Sequence, residues 1–199
     1  MHIKIDETVY NKVEVSLTEK EDFSTEKLLE NLNDFKSECS YERQFDMISI
    51  KMDKGGLPKF AYICVYLACV GGSGESLYPE KRRFFTNNAE SLRIIKVGER
   101  RYHSTQLDCN RTAVLYVPNY EENGCITYTC EDETDPEPLK CRYNGDNHTA
   151  EVFATYAGLI DIAIACIQLS ELETRAPHIH FDKYTYLGNN STEICILKE

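Results

Sequence analysis

Short stretches of this 199-residue chain alternate apolar and polar residues, the pattern that a half-buried β-strand requires. Residues 8–17 show it clearly, with Val9, Val13 and Val15 set among polar neighbours. Turn-forming runs such as Gly71-Gly72-Ser73-Gly74 separate the stretches. The pattern predicts further strands at residues 45–52, 59–70, 83–86, 92–97, 102–109, 113–118, 125–130, 139–143, 178–187 and 192–197.

Two segments have helical periodicity. Residues 24–35 begin at Ser24, a favourable N-cap, and put their large apolar residues on one face, which predicts a short helix. Residues 151–169 fit either a helix or two strands, and their isoleucines and Gly158 favour strand. No internal repeat is visible. We therefore expect a single β-rich domain over residues 1–199, an antiparallel β-sandwich or β-barrel with one or two helices.

Nine cysteines and three regions of N-glycosylation acceptor sequence indicate a secreted, extracellular protein. The first residues do not resemble a signal peptide, so this expectation assumes that one has been removed. About four disulfides would staple such a fold, and the odd ninth thiol could link two chains into a dimer. The disulfide candidates are Cys39, Cys64, Cys69, Cys109, Cys125, Cys130, Cys141, Cys166 and Cys195. The glycosylation candidates are Asn110, Asn147, Asn189 and Asn190.

Two cysteine pairs, Cys64 with Cys69 and Cys125 with Cys130, invite comparison with metal ligands. Four residues lie between the members of each pair, whereas zinc knuckles use two. In an extended strand this spacing would put the two sulfur atoms on opposite faces, about 16 Å apart. We therefore expect each cysteine to bond elsewhere, and we expect no metal and no cofactor.

The net charge of −11 argues against a nucleic acid partner and against an anionic membrane. The nearest approach to a membrane-spanning segment, residues 157–169, contains Asp161. Residues 121–137 carry seven acids and no base, which predicts a solvated loop or an electrostatic docking edge for a basic protein or a small cation. The acids of this edge are Glu121, Glu122, Glu131, Asp132, Glu133, Asp135 and Glu137.

A second candidate surface is the face of the predicted strand at residues 178–187. Alternation puts five side chains on that face: His178, His180, Asp182, Tyr184 and Tyr186. They could form a solvated face, contact a cationic ligand or hold a metal ion. No serine, histidine and acid arrangement, carboxylate pair or reactive cysteine stands out elsewhere, so we expect no enzyme activity.

Part of the chain resembles the later strands of tick salivary lipocalins. The resemblance is carried by Asp108-Cys109, by residues 113–118, by Gly124-Cys125 and by residues 138–141, which cover about a sixth of the chain. It implies a β-barrel that binds a small amine or lipid. The chain departs from that family in having no tryptophan.

Residues 125–130, which run into the acidic stretch, resemble secreted poxvirus chemokine-binding proteins. That resemblance implies a disulfide-bridged β-sandwich. Both resemblances imply capture of a host mediator without chemistry. We therefore expect a secreted glycoprotein that sequesters a basic cytokine or chemokine. A lipocalin-like barrel and a cell-surface interaction module are the alternatives.

Overall fold

The computed structural model describes residues 2–5, 8–16, 37–74, 76–77, 91–98, 112–118, 125–128, 138–174, 176–182, 186–187 and 190–199. Within these residues the strands are β1 (His2–Ile5), β2 (Thr8–Ser16), β3 (Ser37–Glu42), β4 (Met47–Met52), β5 (Ser76–Leu77), β6 (Ser91–Lys96), β7 (Thr112–Pro118), β8 (Cys125–Tyr128), β9 (Leu139–Asn144), β10 (Thr149–Ala154), β11 (His178–Phe181) and β12 (Glu193–Lys198). The helices are α1 (Gly56–Cys69) and α2 (Tyr156–Glu171). The predicted helix at 24–35 and the predicted strands at 83–86 and 102–109 lie outside the described residues.

The strands form three sheets. One has the order β1-β2-β7 and is antiparallel, a second has the order β5-β6-β10-β9, and the third has the order β3-β4-β12-β11-β8. The four-stranded and five-stranded sheets are mixed, because β6 with β10, β4 with β12 and β8 with β11 are parallel pairs. The prediction of a mainly β fold with helices is confirmed. The prediction of antiparallel sheets is wrong for these two, and the described strands do not close into a barrel.

Helix α1 occupies the segment that the sequence analysis predicted as a strand at 59–70. Ile63, Cys64 and Val65, which point to different sides of this helix, are all 0% exposed. A helix that is apolar on every side has the same composition as a buried strand, so periodicity alone cannot separate the two. Helix α1 packs against α2, and α2 also contacts β7, β10, β11 and β12.

The ambiguous segment at 151–169 divides into the end of β10 and helix α2. Thr155 caps the helix, since its side chain accepts a hydrogen bond from the Gly158 amide at 3.3 Å. A Cβ atom at Gly158 would lie 2.2 Å from the carbonyl oxygen of Pro138. Glycine is therefore required here for close approach of the helix to neighbouring backbone, and the inference from Gly158 to a strand was wrong.

The fold contains two copies of one unit, which corrects the expectation that the chain has no internal repeat. In each copy a hairpin leads into a helix, and two further strands follow. The first copy comprises β3, β4, α1, β5 and β6, and the second comprises β9, β10, α2, β11 and β12. Equivalent residues are 102 positions apart, as Ser37 and Leu139 at the start of β3 and β9 show. Strands β2 and β7 are related by the same shift of 102 positions.

The last strand of each copy pairs with the other copy. Strand β12 lies beside β4 with Glu193 opposite Met47, and β6 lies beside β10 with Ser91 opposite Thr149. The two registers are the same once the shift along the chain is applied. Each mixed sheet therefore contains strands of both copies.

Equivalent residues of the two copies contact each other. Val13 is opposite Leu115 in the pairing of β2 with β7. The rings of Tyr41 and Tyr143 stack with their centroids 4.0 Å apart and their planes at 12°. Contacts between equivalent residues are what a twofold rotation axis produces, so the two copies are related by an approximate twofold axis.

Backbone features of the two copies agree at the level of single residues. Asp46 and His148, in the hairpin turns, both adopt a left-handed conformation with φ of 49° and 52°. Gly74 and Ala176, after the helices, do so with φ of 80° and 51°. Among the described residues, neither helix has the length and apolar character needed to cross a membrane.

Candidate functional site

The outer face of the five-stranded sheet carries histidine, cysteine, serine and carboxylate side chains. Alternation along β11 directs Ile179 and Phe181 into the core, where both are 0% exposed, and leaves His178 and His180 half-buried on the opposite side. Asp182, the first residue after β11, is close enough to His180 for its charge to act on the imidazole. We call this side the acidic face. Its described members are Glu38, Ser40, Glu42, Met47, Ser49, Lys51, His178, His180, Asp182, Glu193, Cys195 and Leu197.

A row of polar side chains crosses the middle of the acidic face. His180 of β11 is opposite Cys195 of β12, which is opposite Ser49 of β4, which is opposite Ser40 of β3. The Cys195 Sγ atom lies 3.7 Å from His180 Nε2. The Ser49 hydroxyl donates a hydrogen bond of 3.0 Å to Glu42 Oε1. Strand pairing thus brings together residues that are far apart in the sequence.

The surroundings of the His180 imidazole disfavour its protonated form. Burial lowers the pKa of His180 below its usual value and the neighbouring His178 lowers it further, while Glu193 and Asp182 oppose the shift. The two histidine rings meet edge to face, with centroids 5.1 Å apart. A neutral imidazole beside a thiol is a possible acid and base partner. Cys195, however, is only 2% exposed, so a substrate has no direct access to its sulfur.

Cys195, Ser49 and Ser40 are the members of this row that sequence reasoning did not place on this face. Cys195 was considered only as a disulfide candidate, and neither Ser49 nor Ser40 stood out. The only sequence signal is that each residue alternates with buried apolar neighbours, as Cys195 does between Ile194 and Ile196. That alternation predicts on which face of the sheet a residue lies, but it does not predict which strand lies beside it.

The structure separates Tyr186 from the histidines with which it was grouped. Tyr186 is 3% exposed, packs on Phe181 with ring centroids 5.1 Å apart, and donates a hydrogen bond from its hydroxyl to Asp161 of helix α2. Tyr186 therefore lies in the interior and does not belong to the acidic face, because the chain leaves the strand after Phe181. Tyr184 lies outside the described residues.

Metal binding by the histidine cluster finds no support in the described part of the chain. No three histidine, cysteine, aspartate or glutamate side chains within it converge closely enough to hold an ion. The predicted docking edge at residues 121–137 falls almost entirely outside the described residues, which there include only β8. The structure does not place its acids Glu121, Glu122, Glu131, Asp132, Glu133, Asp135 and Glu137.

The described cysteines are buried thiols, so the prediction of a disulfide-stapled fold is not supported in this part of the chain. The six cysteines whose side chains are described are Cys39, Cys64, Cys69, Cys141, Cys166 and Cys195, and they form no disulfide. Cys64 and Cys69 lie in helix α1, not on opposite faces of a strand.

Burial also makes these thiols poor nucleophiles. It raises the pKa of Cys141 to about 12 and raises the pKa values of Cys64 and Cys166. They behave as small apolar residues of the core. The side chains of Cys109, Cys125 and Cys130 lie outside the described residues.

Two glycosylation candidates lie on the surface. Asn147 is exposed in the turn between β9 and β10, and Asn190 is exposed just before β12. Both meet the requirement that an acceptor be accessible. Asn110 and Asn189 are outside the described residues.

Comparison of the chain with family models, with curated proteins and with solved structures found no match. The two resemblances noted in the sequence therefore stay predictions. The proposed function therefore rests on the geometry of the described surfaces.

Proposed function

We propose that this protein is a non-catalytic binding module that captures a basic protein, of the cytokine or chemokine type, through the acidic face. The observation that carries the proposal is the charge of that face. Four carboxylates, those of Glu38, Glu42, Asp182 and Glu193, surround the polar row, and Lys51 is the only lysine or arginine among the described members of the face.

The underlying sheet suits a docking role. Its inner side is packed with Ile48, Ile50, Ile194 and Ile196, each no more than 1% exposed, so the backbone under the acidic face is rigidly held. A preformed charged surface accelerates association with a partner of opposite charge and lowers the entropy lost on binding. Both effects favour recognition over chemistry at this face.

The buried position of Cys195 supports binding over catalysis. A cysteine nucleophile has to reach its substrate, and this sulfur is covered by the side chains around it. The hydroxyl of Ser49 is likewise 2% exposed and already donates to Glu42. Carboxylates and half-buried imidazoles are the groups that a ligand would meet first.

Charge reversal on the face tests the proposal. Binding of the full chain to a panel of basic chemokines and cytokines is measured by biolayer interferometry at low and at physiological salt. We expect at least one complex, and we expect Glu193→Lys to weaken it by about three- to tenfold, mainly through a slower association rate. Raising the salt concentration to 0.15 M or above should reduce the difference in affinity between Glu193→Lys and the unmodified chain, because screening weakens exposed charge pairs.

Glu173→Lys is the matched control, since Glu173 is an exposed acid that pairs with Lys54 away from the acidic face. Its affinity should equal that of the unmodified chain. Absence of any binding at low salt would rule out the proposed function. Equal loss in both variants would mean that net charge, rather than this face, attracts the partner.

A further inference from the structure

The outer face of the four-stranded sheet carries a row of charged side chains at the place where the five-stranded sheet has its polar row. Arg93 of β6 is opposite Glu151 of β10, and Glu151 is opposite Arg142 of β9. The three side chains are direct neighbours across adjacent strands, so their contacts are set by the backbone. We call Arg93, Glu151, Arg142 and the adjacent Lys140 and Phe153 the basic row.

The central carboxylate is fully engaged by the two arginines. Arg142 Nε lies 2.5 Å from Glu151 Oε2, and Arg93 Nη1 lies 3.4 Å from Glu151 Oε1. The Glu151 side chain is 7% exposed, whereas those of Arg93 and Arg142 are 33% and 60% exposed. The carboxylate therefore lies beneath the two guanidinium groups, and most of what solvent reaches is cationic.

A second contact fixes the orientation of Arg142. Its guanidinium carbon lies 4.8 Å from the centroid of the Phe153 ring, within cation–π range. An arginine held by both a carboxylate and a ring has already lost much of the side-chain freedom that ligand binding would cost. The basic row is thus organised before any ligand arrives.

The charges of the row do not cancel. Two guanidinium groups share one carboxylate, which leaves one positive charge in excess, and the exposed Lys140 on the same side of β9 adds a second. This excess stands out on a chain whose net charge is −11. A compact group with two negative charges and several acceptor oxygens would complement it.

We propose that the basic row binds a phosphate monoester group. Guanidinium forks donate paired hydrogen bonds to phosphate oxygens, and a dianionic phosphate matches the excess charge of Arg93, Arg142 and Lys140 better than a carboxylate does. Glu151 is a positioning residue that holds both arginines, and it does not contact the ligand. This site is on a different sheet from the acidic face and does not depend on the proposed function.

The test uses the full chain labelled with ¹⁵N and titrated with inorganic phosphate and with O-phosphoserine, while the arginine Nε–Hε signals are followed by NMR. We expect saturable shifts of the Arg93 and Arg142 signals with both probes. Sodium chloride at matched ionic strength should give no saturable shift. Arg142→Gln should weaken phosphate binding by about tenfold or more, because a charge-assisted hydrogen bond and a nearby charge are lost.

Lys54→Gln is the matched control, since it removes an exposed cation that pairs with Glu173 elsewhere. Its phosphate affinity should not change. The proposal is overturned if the shifts do not saturate, or if sodium chloride reproduces them. It is also overturned if Arg142→Gln binds phosphate as tightly as the unmodified chain while only its melting temperature falls.

Discussion

The two copies of the repeat agree inside the molecule and differ on its outer faces. Several equivalent positions hold the same residue, and in each of the following pairs both members are 0% exposed: Cys39 and Cys141, Leu57 and Leu159, Cys64 and Cys166, Leu67 and Leu169. Close packing around the twofold axis restricts both copies to the same volumes. The interior is therefore where the two copies have to match.

The outer faces show the opposite behaviour. In the central rows of the two mixed sheets, each of the three equivalent pairs that the structure describes differs in chemistry: Ser40 corresponds to Arg142, Ser49 to Glu151 and Cys195 to Arg93. One row is neutral and lies among carboxylates, and the other is cationic. The inward-facing neighbours of both rows are buried apolar residues, so the packing of the core does not demand this difference. We infer that the outer faces are where the two copies acquired separate tasks.

Matched truncation of the core tests whether the two copies fold as one unit, and it should give the largest effect. Leu57→Ala and Leu159→Ala each remove a side chain that is 0% exposed, so each should lower the free energy of unfolding by about 2–5 kcal/mol. Because the mixed sheets contain strands of both copies, each variant should unfold in one transition. Urea unfolding followed by far-UV circular dichroism measures this, since the chain has no tryptophan to report by fluorescence.

Phe45→Ala is the control for this pair, because Phe45 is 58% exposed and its loss should change stability by about 0.5 kcal/mol or less. Two separate transitions in either leucine variant would show that the copies are independent. A large difference between Leu57→Ala and Leu159→Ala would show that their equivalence does not extend to energetics.

Several strands with one face on the core were predictable from the sequence, although β3 was missed. Alternation gave β2, β6, β7, β9 and β12 to within one or two residues at each end, because inward positions are apolar and outward positions are polar. The helices were not predictable in the same way. Residues of α1 face protein on nearly all sides, which erases the polar stripe that marks an amphipathic helix.

The repeat escaped detection because so few equivalent residues are identical. Those that are, such as Cys64 with Cys166 and Leu67 with Leu169, are of types common in any core. The evidence for the repeat lies instead in the register of the strands. That register depends on which strands pair, and the paired strands come from distant parts of the chain. Alternation likewise predicted that His178 and His180 share a face, but not that Cys195 and Ser49 lie beside them.

The C-terminal ends of the two helices can also be compared. The expected effects on stability are smaller there, and they differ between the two copies. Lys96 donates hydrogen bonds of 2.7 Å to the carbonyls of Ala68, in the last turn of α1, and Gly71, just after it. The equivalent Lys198 donates to the carbonyls of Ser170, in the last turn of α2, and Leu172, just after it. In both copies a lysine satisfies helix carbonyls that lack an intrahelical partner and complements the negative end of the helix dipole.

Substituting these lysines by methionine should affect the copies unequally. Lys96 is 2% exposed, so Lys96→Met leaves two buried carbonyls without that donor and should cost about 2–4 kcal/mol. Lys198 is partly exposed, and water can replace it, so Lys198→Met should cost about 1 kcal/mol. Urea unfolding measures both, with the exposed Lys54→Met as the control. Equal losses of stability in the two lysine variants would contradict the prediction that the more buried Lys96 contributes more.

Substitution of the residues that follow the helices should have the smallest effect on stability, and the sign of that effect should differ between the two copies. Gly74 and Ala176 occupy equivalent positions with φ of 80° and 51°, a region in which an L-residue is strained and glycine is not. A Cβ atom at Gly74 would meet nothing within 4 Å, so Gly74→Ala tests backbone strain alone and should cost about 1 kcal/mol. Ala176→Gly should be neutral or stabilise the protein by up to about 0.5 kcal/mol, because relief of strain offsets the added freedom of the unfolded chain. If both substitutions destabilised the protein equally in thermal unfolding, the left-handed conformation would not be shared, and the equivalence of the two copies would end at their helices.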